Sequence, residues 1–270
     1  MKYFEFQPKG VENCNVKAYI HTSGESERME DRLLPTVIVC PGGGYCNISE
    51  REGEPVALEY FTAGYNVFVL ARYSIGESAR NFEPLCQLAA TMAHVRAHAD
   101  EWRIQKDKIA VCGFSAGGHL AGSLGTLYNE EKFLKVWNRS EDIRPNAMIL
   151  CYPVITADEY AHTGSIKNVS GAEIGSEEYA WFGLNNHVDT ATPPTFIWHT
   201  VNDACVPVEN SIAMINALTA AKVPFESHIL PEGRHGLATC TKEVGTKNDY
   251  VGRWIEWSID WLGQIFGFEK

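Results

Sequence analysis

Long hydrophobic runs and an excess of positive charge are both missing from this sequence of 270 residues. The longest apolar runs, such as residues 36–40 and 66–71, have the length of strands, whereas a membrane-spanning helix needs about 20 apolar residues. The formal net charge is −11, and nucleic-acid-binding proteins usually present basic surfaces. We therefore predict no membrane span, no docking on an anionic membrane and no nucleic-acid partner.

Paired cysteines are missing as well. The eight cysteines are scattered along the chain, and no two of them have the C-x-x-C spacing that is typical of a zinc site. A disulfide scaffold would be short and secreted, whereas the first residues of this chain contain no apolar segment of the signal-peptide type. We therefore predict free thiols in a cytoplasmic protein.

Segments of strand type and helix type alternate along most of the chain. Short continuous apolar runs are typical of strands buried on both faces of a sheet, and apolar residues spaced by three and four are typical of helices. The predicted strands are 15–21, 36–41, 66–72, 108–114, 146–153, 194–200 and 224–231, and the predicted helices are 54–64, 84–102, 116–128, 209–223 and 248–266. This alternation predicts an α/β fold, a mostly parallel sheet with helices on both faces, with an antiparallel ribbon at its start.

Two polar stretches interrupt this pattern. Residues 22–32 are predicted to form a loop. Residues 154–192 are predicted to form an insertion over one end of the sheet, where loops often carry function. Because the remaining elements follow one another without a linker, we expect one domain over residues 1–270.

A serine between glycines carries the clearest chemical signal. The stretch GFSAG, residues 113–117, lies between a predicted strand and a predicted helix. This G-x-S-x-G pattern is typical of a nucleophile elbow, a sharp turn that exposes the serine hydroxyl above a helix start, where developing negative charge is favoured. The alternative is a tight turn without chemistry. In this context we predict that Ser115 is a nucleophile.

A serine nucleophile needs a base and a carboxylate that orients the base. In this architecture the acid and then the histidine follow the serine along the chain. Asp203 follows the predicted strand 194–200, and His235 lies in a glycine-flanked loop after the last predicted strand. We predict Asp203 as the acid and His235 as the base. The alternatives for the acid are Asp158, Asp189 and Glu209.

The other histidines are expected to be structural. His199 and His228 lie inside predicted strands, and His119 is expected to pack beneath the elbow. His94 and His98 have the i, i+4 spacing of some metal ligands, but no third ligand accompanies them. We therefore expect these two side chains at the surface and no metal site.

A glycine-rich loop supplies candidate donors for an oxyanion. A tetrahedral intermediate needs backbone N–H groups close to its negative oxygen, and one should come from Ala116, directly after the nucleophile. A second should come from residues 37–47, where Gly42, Gly43 and Gly44 allow the backbone to approach closely. The alternative is a phosphate-binding loop, but neither G-x-G-x-x-G nor a following Lys-Ser/Thr is present.

Over residues 15–265 the chain resembles the α/β-hydrolase fold esterase/lipase superfamily. The resemblance rests on four motifs that occur in order: PGGGY, GFSAGGHLA, HTVNDACVP and GRHG. The chain is most similar to esterases of acetylated sugars and xylan fragments, near the hormone-sensitive-lipase-like group. The resemblance implies an α/β-hydrolase fold with no metal ion and no organic cofactor. Carried over by position, Ser115, Asp203 and His235 match the catalytic triad, while Gly43, Gly44 and Ala116 match the oxyanion donors. One departure is Pro41, where hormone-sensitive lipases have histidine, and it favours the sugar-esterase branch.

The insertion indicates the kind of ester. It is polar but contains aromatic side chains, among them Trp181, which suits a sugar ring better than a lipid chain. We predict that Trp181, and Tyr45 beside the glycines, contact a small acetylated sugar or xylo-oligosaccharide; the alternative is that the aromatics only pack the insertion onto the body. A peptidase of the same fold, an acyltransferase and a non-catalytic ligand-binding protein remain alternatives, and a homo-oligomer is left open.

Overall fold

A sheet of eight strands organises residues 1–22 and 32–269, which are the residues that this computed structural model describes. The strands are β1 (Lys2–Phe6), β2 (Asn15–Ile20), β3 (Leu34–Cys40), β4 (Asn66–Arg72), β5 (Ile104–Phe114), β6 (Ala147–Cys151), β7 (Thr195–Thr200) and β8 (Phe225–Leu230). Their order in the sheet is β1-β2-β4-β3-β5-β6-β7-β8. The strands β1, β2 and β4 are paired antiparallel, and all pairs from β4 to β8 are parallel. The predicted mostly parallel sheet with an antiparallel start is confirmed.

Helices cover both faces of this sheet. They are α1 (Glu54–Thr62), α2 (Glu83–Ala97), α3 (Ala99–Trp102), α4 (Ala116–Leu127), α5 (Glu131–Trp137), α6 (Thr163–Ser170), α7 (Glu177–Ala180), α8 (Glu209–Ala221) and α9 (Trp254–Phe266). In β3, Val37 and Val39 belong to the hydrophobic cluster that contains α1 and α9, while Ile38 and Cys40 belong to the cluster that contains α2 and α4. Successive strand residues point to opposite faces, so a central strand needs apolar residues at every position.

The segment boundaries differ from the predictions in a few places. The predicted helix 84–102 is two helices, because the chain leaves α2 at His98 and resumes as α3. Strand β5 begins at Ile104, four residues before the predicted start at residue 108. The prediction missed this start because residues 105–108 are polar. The short elements β1 and α5 were not predicted. The predicted loop 22–32 lies outside the described residues, apart from its two end residues.

The insertion 154–192 lies between β6 and β7 and carries α6 and α7. Its first residues are fixed to the body by Asn210 on α8, whose side-chain oxygen accepts the N–H groups of Ile155 and Thr156 at 2.9 and 3.0 Å. No helix within residues 1–22 and 32–269 combines the length and the apolar character that a bilayer crossing requires.

Candidate active site

The sharp turn at Ser115 lies between β5, which ends at Phe114, and α4, which begins at Ala116. Ser115 has φ 54° and ψ −119°, a conformation that few non-glycine residues adopt. Its flanking glycines are required by close approach. A Cβ atom at Gly113 would lie 2.1 Å from the carbonyl oxygen of Gly117, and one at Gly117 would lie 2.1 Å from the carbonyl oxygen of Cys40.

The structure brings the three predicted triad side chains into one hydrogen-bonded chain. Ser115 Oγ is 2.8 Å from His235 Nε2, and His235 Nδ1 is 2.6 Å from Asp203 Oδ2. Because a carboxylate only accepts hydrogen bonds, Nδ1 carries the hydrogen toward Asp203. In neutral His235, Nε2 is therefore free to accept the Ser115 hydroxyl hydrogen. This is the arrangement that makes a serine hydroxyl nucleophilic.

The loops that carry the acid and the base are tied together. Asp203 follows β7, and His235 follows β8. The N–H of Gly233 donates to Asn202 Oδ1 at 2.7 Å, and the carbonyl oxygen of Gly233 accepts the Thr200 hydroxyl at 2.8 Å. Both loops leave the carboxyl ends of neighbouring parallel strands, which is where ligand sites form in open α/β sheets.

Asp203 is surrounded by donors. Its Oδ1 accepts the N–H groups of Cys205 and Val206 at 2.9 and 3.0 Å. On its other oxygen, His199 Nε2 lies 3.4 Å from Oδ2, in addition to the bond from His235. Burial raises the pKa of the Asp203 carboxyl, but the hydrogen bonds from His199 and His235 and the charge of His235 outweigh it and hold the pKa well below its usual range. Asp203 is therefore ionised at neutral pH.

His199 was expected to be structural, and its contacts place it against the acid. The side chain is fully buried, its Nδ1 is 2.8 Å from the Ser211 hydroxyl, and its Nε2 is 3.0 Å from the carbonyl oxygen of Val206. Because that carbonyl can only accept, Nε2 carries the hydrogen and also faces Asp203. The position inside a strand gave no signal of this contact.

The glycine loop after β3 lies against the elbow. A Cβ atom at Gly42 would lie 3.0 Å from Ser115 Cβ. Within residues 1–22 and 32–269, no acceptor lies on the N–H groups of Gly43, Gly44 or Ala116. Gly43 and Gly44 have φ 127° and 65°, values that glycine adopts without a steric cost. These N–H groups beside a serine have the character expected of oxyanion donors.

The prediction that Tyr45 contacts substrate is corrected. Its side chain is 1% exposed, and its hydroxyl lies 2.9 Å from His119 Nδ1. His119 Nε2 in turn lies 3.0 Å from the carbonyl oxygen of Phe182, so Nε2 donates and Nδ1 accepts from Tyr45. The ring of Tyr45 packs into the hydrophobic core, and the residue has φ 54°. His119 lies beneath the elbow, as expected.

Trp181 lies on the insertion, directly after α7. Its ring packs on Phe82 and Phe182 at centroid distances of 5.3 and 5.2 Å, and Lys132 Nζ lies 4.4 Å from its centroid. His187 Nε2 donates to its carbonyl oxygen at 2.7 Å. These contacts are of the packing type that the alternative interpretation describes, and the role of Trp181 in substrate binding stays a prediction.

Two further polar groups near the triad escaped sequence reasoning. Glu52 is a buried carboxylate that accepts the N–H of Gly42 at 2.8 Å. His162, at the start of α6, lies 3.7 Å from Cys205 Sγ through Nε2. Burial, and then the charge of His235, lower the pKa of His162. Glu52 is one of three glutamates at alternate positions, and His162 is one of nine histidines. Neither residue has a sequence signal that distinguishes it from the others.

The other expectations about titratable residues concern two histidines and a metal site. The rings of His94 and His98 are stacked with their centroids 4.2 Å apart, and both side chains are partly buried, whereas we expected them at the surface. Burial lowers the pKa of His94 to about 4. In the described part of the chain, no group of three or more His, Cys, Asp or Glu side chains is arranged to hold a metal ion.

The sheet order, the serine turn after β5 and the acid and histidine after β7 and β8 define a protein of the α/β-hydrolase fold. The acetyl ester-xyloside bifunctional hydrolase of Caldicellulosiruptor lactoaceticus has a similar structure, with a TM-score of 0.82, 34% identity and coverage of 98% of this chain and 92% of that one. A carboxylesterase of Lactobacillus plantarum superposes with a TM-score of 0.88 over 100% of both chains at 24% identity, which supports the fold alone.

The chain belongs to the BD-FAE family, whose model matches residues 25–218. It is 36% identical over 232 residues to endo-1,4-beta-xylanase B of Butyrivibrio fibrisolvens, which is 85% of this chain and 35% of that protein. It is 28% identical over 238 residues to the acetylxylan esterase of Xylanibacter ruminicola, 85% of this chain and 45% of that protein. The chain thus spans less than half the length of either relative. The expected resemblance to carbohydrate esterases is confirmed, and these names agree with the expected class of ester hydrolase.

Proposed function

We propose that this chain is a serine carboxylesterase that removes acetyl groups from small acetylated sugars or xylo-oligosaccharides. The observation that carries the proposal is the unbroken chain of hydrogen bonds from Ser115 through His235 to Asp203, at 2.8 and 2.6 Å. The substrate class is supported by two of the relatives, an acetylxylan esterase and an acetyl ester-xyloside bifunctional hydrolase.

The first half of the reaction forms an acyl-enzyme. His235 Nε2 takes the hydroxyl proton while Ser115 Oγ attacks the ester carbonyl carbon, and Asp203 stabilises the resulting imidazolium. The carbonyl oxygen becomes an oxyanion, which accepts hydrogen bonds from the N–H groups of Gly43, Gly44 and Ala116; within residues 1–22 and 32–269 these groups have no other acceptor. Collapse of the tetrahedral intermediate breaks the bond to the sugar oxygen, and His235 donates its proton to that oxygen.

The second half releases the acid. A water molecule gives a proton to His235 and attacks the acyl carbon, and a second oxyanion forms in the same position. When this intermediate collapses, His235 returns the proton to Ser115 Oγ and acetic acid leaves. The triad and the oxyanion donors are used twice, so one set of residues serves both steps.

The test is an ester series from p-nitrophenyl acetate to octanoate, run beside acetylated xylo-oligosaccharides. Ser115→Ala should lower kcat by roughly 10⁴-fold or more, because no other group in the triad can form the acyl-enzyme. Ser140→Ala, in an exposed loop after α5, is the matched control and should keep wild-type rates.

The wild-type protein should prefer acetate and should release acetate from the oligosaccharides. A preference for octanoate would contradict the sugar-ester assignment but would still support an esterase. Full activity in Ser115→Ala would contradict the triad itself.

A further inference from the structure

A buried carboxylate connects two parts of the candidate active site. Glu52 ends a short 3₁₀ turn, Glu50–Glu52, and is 2% exposed. It forms no ion pair with any residue in the described ranges 1–22 and 32–269. Burial of a carboxylate without a charged partner is unfavourable unless its oxygens are hydrogen-bonded. Its hydrogen bonds therefore indicate what it is retained for.

Both oxygens of Glu52 are occupied. Oε2 accepts the N–H of Gly42 at 2.8 Å, and Oε1 lies 2.8 Å from the Tyr152 hydroxyl. That hydroxyl also accepts the N–H of Ala238 at 3.0 Å. Because a backbone N–H can only donate, the hydroxyl hydrogen of Tyr152 points to Glu52, and the direction of every bond in this chain is fixed.

The ends of this chain of hydrogen bonds lie on the two loops that flank Ser115. Gly42 begins the glycine loop, in contact with the elbow. Ala238 is three residues beyond His235, and its carbonyl oxygen accepts Trp254 Nε1 at 2.9 Å. The ring of Tyr152 also meets the ring of His235 edge to face, with centroids 5.0 Å apart at 71°.

We propose that Glu52 and Tyr152 are positioning residues. They hold the glycine loop, which begins at Gly42, and the loop from His235 to Ala238 at a fixed separation around Ser115. This inference rests on the proposed esterase function. Neither side chain belongs to the triad or to the oxyanion donors. Their effect on the reaction passes through Gly42 on one side and His235 on the other, so they align the donors with the base.

A carboxylate suits this position better than an amide. Glutamine has one acceptor oxygen and an NH₂ group that only donates. If the glutamine oxygen accepts the N–H of Gly42, its NH₂ group faces Tyr152 and the hydroxyl hydrogen of Tyr152 loses its acceptor. If the oxygen instead accepts the Tyr152 hydroxyl, the NH₂ group faces the N–H of Gly42 and that bond is lost. In either orientation the link between the two loops is weakened although the side-chain volume is unchanged.

The test compares Glu52→Gln and Tyr152→Phe with the wild type on p-nitrophenyl acetate. A fluorophosphonate that labels Ser115 counts the competent sites, so kcat is expressed per labelled site. Glu52→Gln should lower this kcat by roughly 10- to 100-fold, the loss expected when reacting groups are misplaced by about 1 Å. KM should change less than about threefold, because binding of the ground state does not need the aligned donors.

Tyr152→Phe keeps the ring and removes only the hydroxyl, so a loss of roughly 3- to 10-fold is expected. Since both residues act in one chain of hydrogen bonds, the double variant should lose less than the product of the two single losses. The matched control is another glutamate–tyrosine pair, Glu54 and Tyr19, whose hydrogen bond is 2.8 Å. Glu54→Gln and Tyr19→Phe should leave kcat per labelled site unchanged.

Unchanged kcat per labelled site in both Glu52→Gln and Tyr152→Phe would overturn the inference, even if their melting temperatures fell, because the pair would then only stabilise the fold. If Glu52→Gln does not fold, Tyr152→Phe and the pH profile of its kcat/KM decide the question. An active wild type with unaffected variants removes this inference alone. A wild type that neither hydrolyses the ester nor reacts with the fluorophosphonate removes the proposed function as well.

Discussion

Asp203, at the end of β7, receives hydrogen bonds or close donors from four groups, whereas Tyr160 and Ile174 in the insertion are 41% and 59% exposed. Asp203 belongs to what we call the sheet side of the site, formed by the loops at the carboxyl ends of β3, β5, β6, β7 and β8. Tyr160 and Ile174 belong to the insertion side, residues 154–192. On the sheet side the buried acid is held by several donors, whereas the insertion side is polar and more open.

This difference separates two tasks. The geometry of bond making has to be held within a fraction of an ångström, which the rigid ends of packed strands provide. Selection of a ligand tolerates variation and is often placed on loops carried by a rigid scaffold. We therefore expect changes on the sheet side to act mainly on kcat and changes on the insertion side to act mainly on KM.

The largest expected effect comes from Asp203→Asn. An amide in this position would present its NH₂ group or its oxygen to His235 and would no longer enforce the Nδ1–H tautomer, so kcat should fall by roughly 10⁴-fold. KM for p-nitrophenyl acetate should stay close to wild type. Steady-state kinetics on a preparation shown to be folded by circular dichroism measure this effect.

Asp189→Asn is the matched control for this change. Asp189 precedes β7 and accepts the N–H groups of Ala191 and Thr192 at 2.8 and 3.0 Å, a task that asparagine can share. Its kcat should remain at the wild-type level. Equal losses in the two variants, or less than a tenfold loss in Asp203→Asn, would contradict Asp203 as the acid.

His119 links the sheet side to the insertion side, and it should make stability depend on pH. Burial lowers its pKa to about 4, whereas an unfolded histidine titrates near 6.5. The unfolded state therefore binds a proton first as the pH falls below 6.5, and the folded state loses relative stability until the pH reaches the folded pKa. Between pH 7 and pH 5 this single group should lower the free energy of unfolding by about 2 kcal/mol.

Urea unfolding at pH 7 and pH 5 tests this sign and size. His119→Gln can still donate to the carbonyl oxygen of Phe182 but does not titrate, so its change in stability between the two pH values should be smaller by about 2 kcal/mol. His94→Gln is the control for a second histidine with a lowered pKa. Because His94 is only partly buried, its contribution should be smaller. An identical pH dependence in wild type and His119→Gln would contradict the prediction.

The two sides also differ in how far the sequence predicts them. The apolar strands and the G-x-S-x-G turn are local patterns, so the parallel sheet and the positions of Ser115, Asp203 and His235 followed from strand order and chain order. Tyr45 was misassigned because its neighbours in sequence are the glycines predicted as oxyanion donors, while its ring is buried in the core.

Contacts between distant segments left no local pattern to find. Glu52 and Tyr152 are 100 residues apart, and the burial that makes their bond important arises only in the folded chain. His162 resembles any other polar residue of the insertion until α6 brings it beside Cys205. Single-sequence patterns report local periodicity and turns, and they do not report which distant side chains meet.

His162 provides the smallest expected effect and the sharpest separation of the two sides. It extends from the insertion to two loops of the sheet side, those after β7 and β3: its Nε2 lies 3.7 Å from Cys205 Sγ, and a Cβ atom at Gly44 would lie 4.0 Å from its Cε1. Its lowered pKa keeps the ring neutral at neutral pH. Because Nδ1 accepts the N–H of Ser165 at 3.3 Å, Nε2 carries the hydrogen, so the ring can donate a hydrogen bond to a sugar hydroxyl but cannot act as a fixed positive charge.

His162→Ala should therefore raise KM for acetylated xylo-oligosaccharides by roughly three- to tenfold, the equivalent of one lost hydrogen bond. Its kcat on p-nitrophenyl acetate, which has no sugar, should stay within about twofold of wild type. His228→Ala, on the edge strand β8, is the matched control and should alter neither constant. If His162→Ala instead lowered kcat on both substrates alike, the residue would belong to the sheet side in function, and the separation of chemistry from selection would have to be drawn inside the insertion, between α6 and α7.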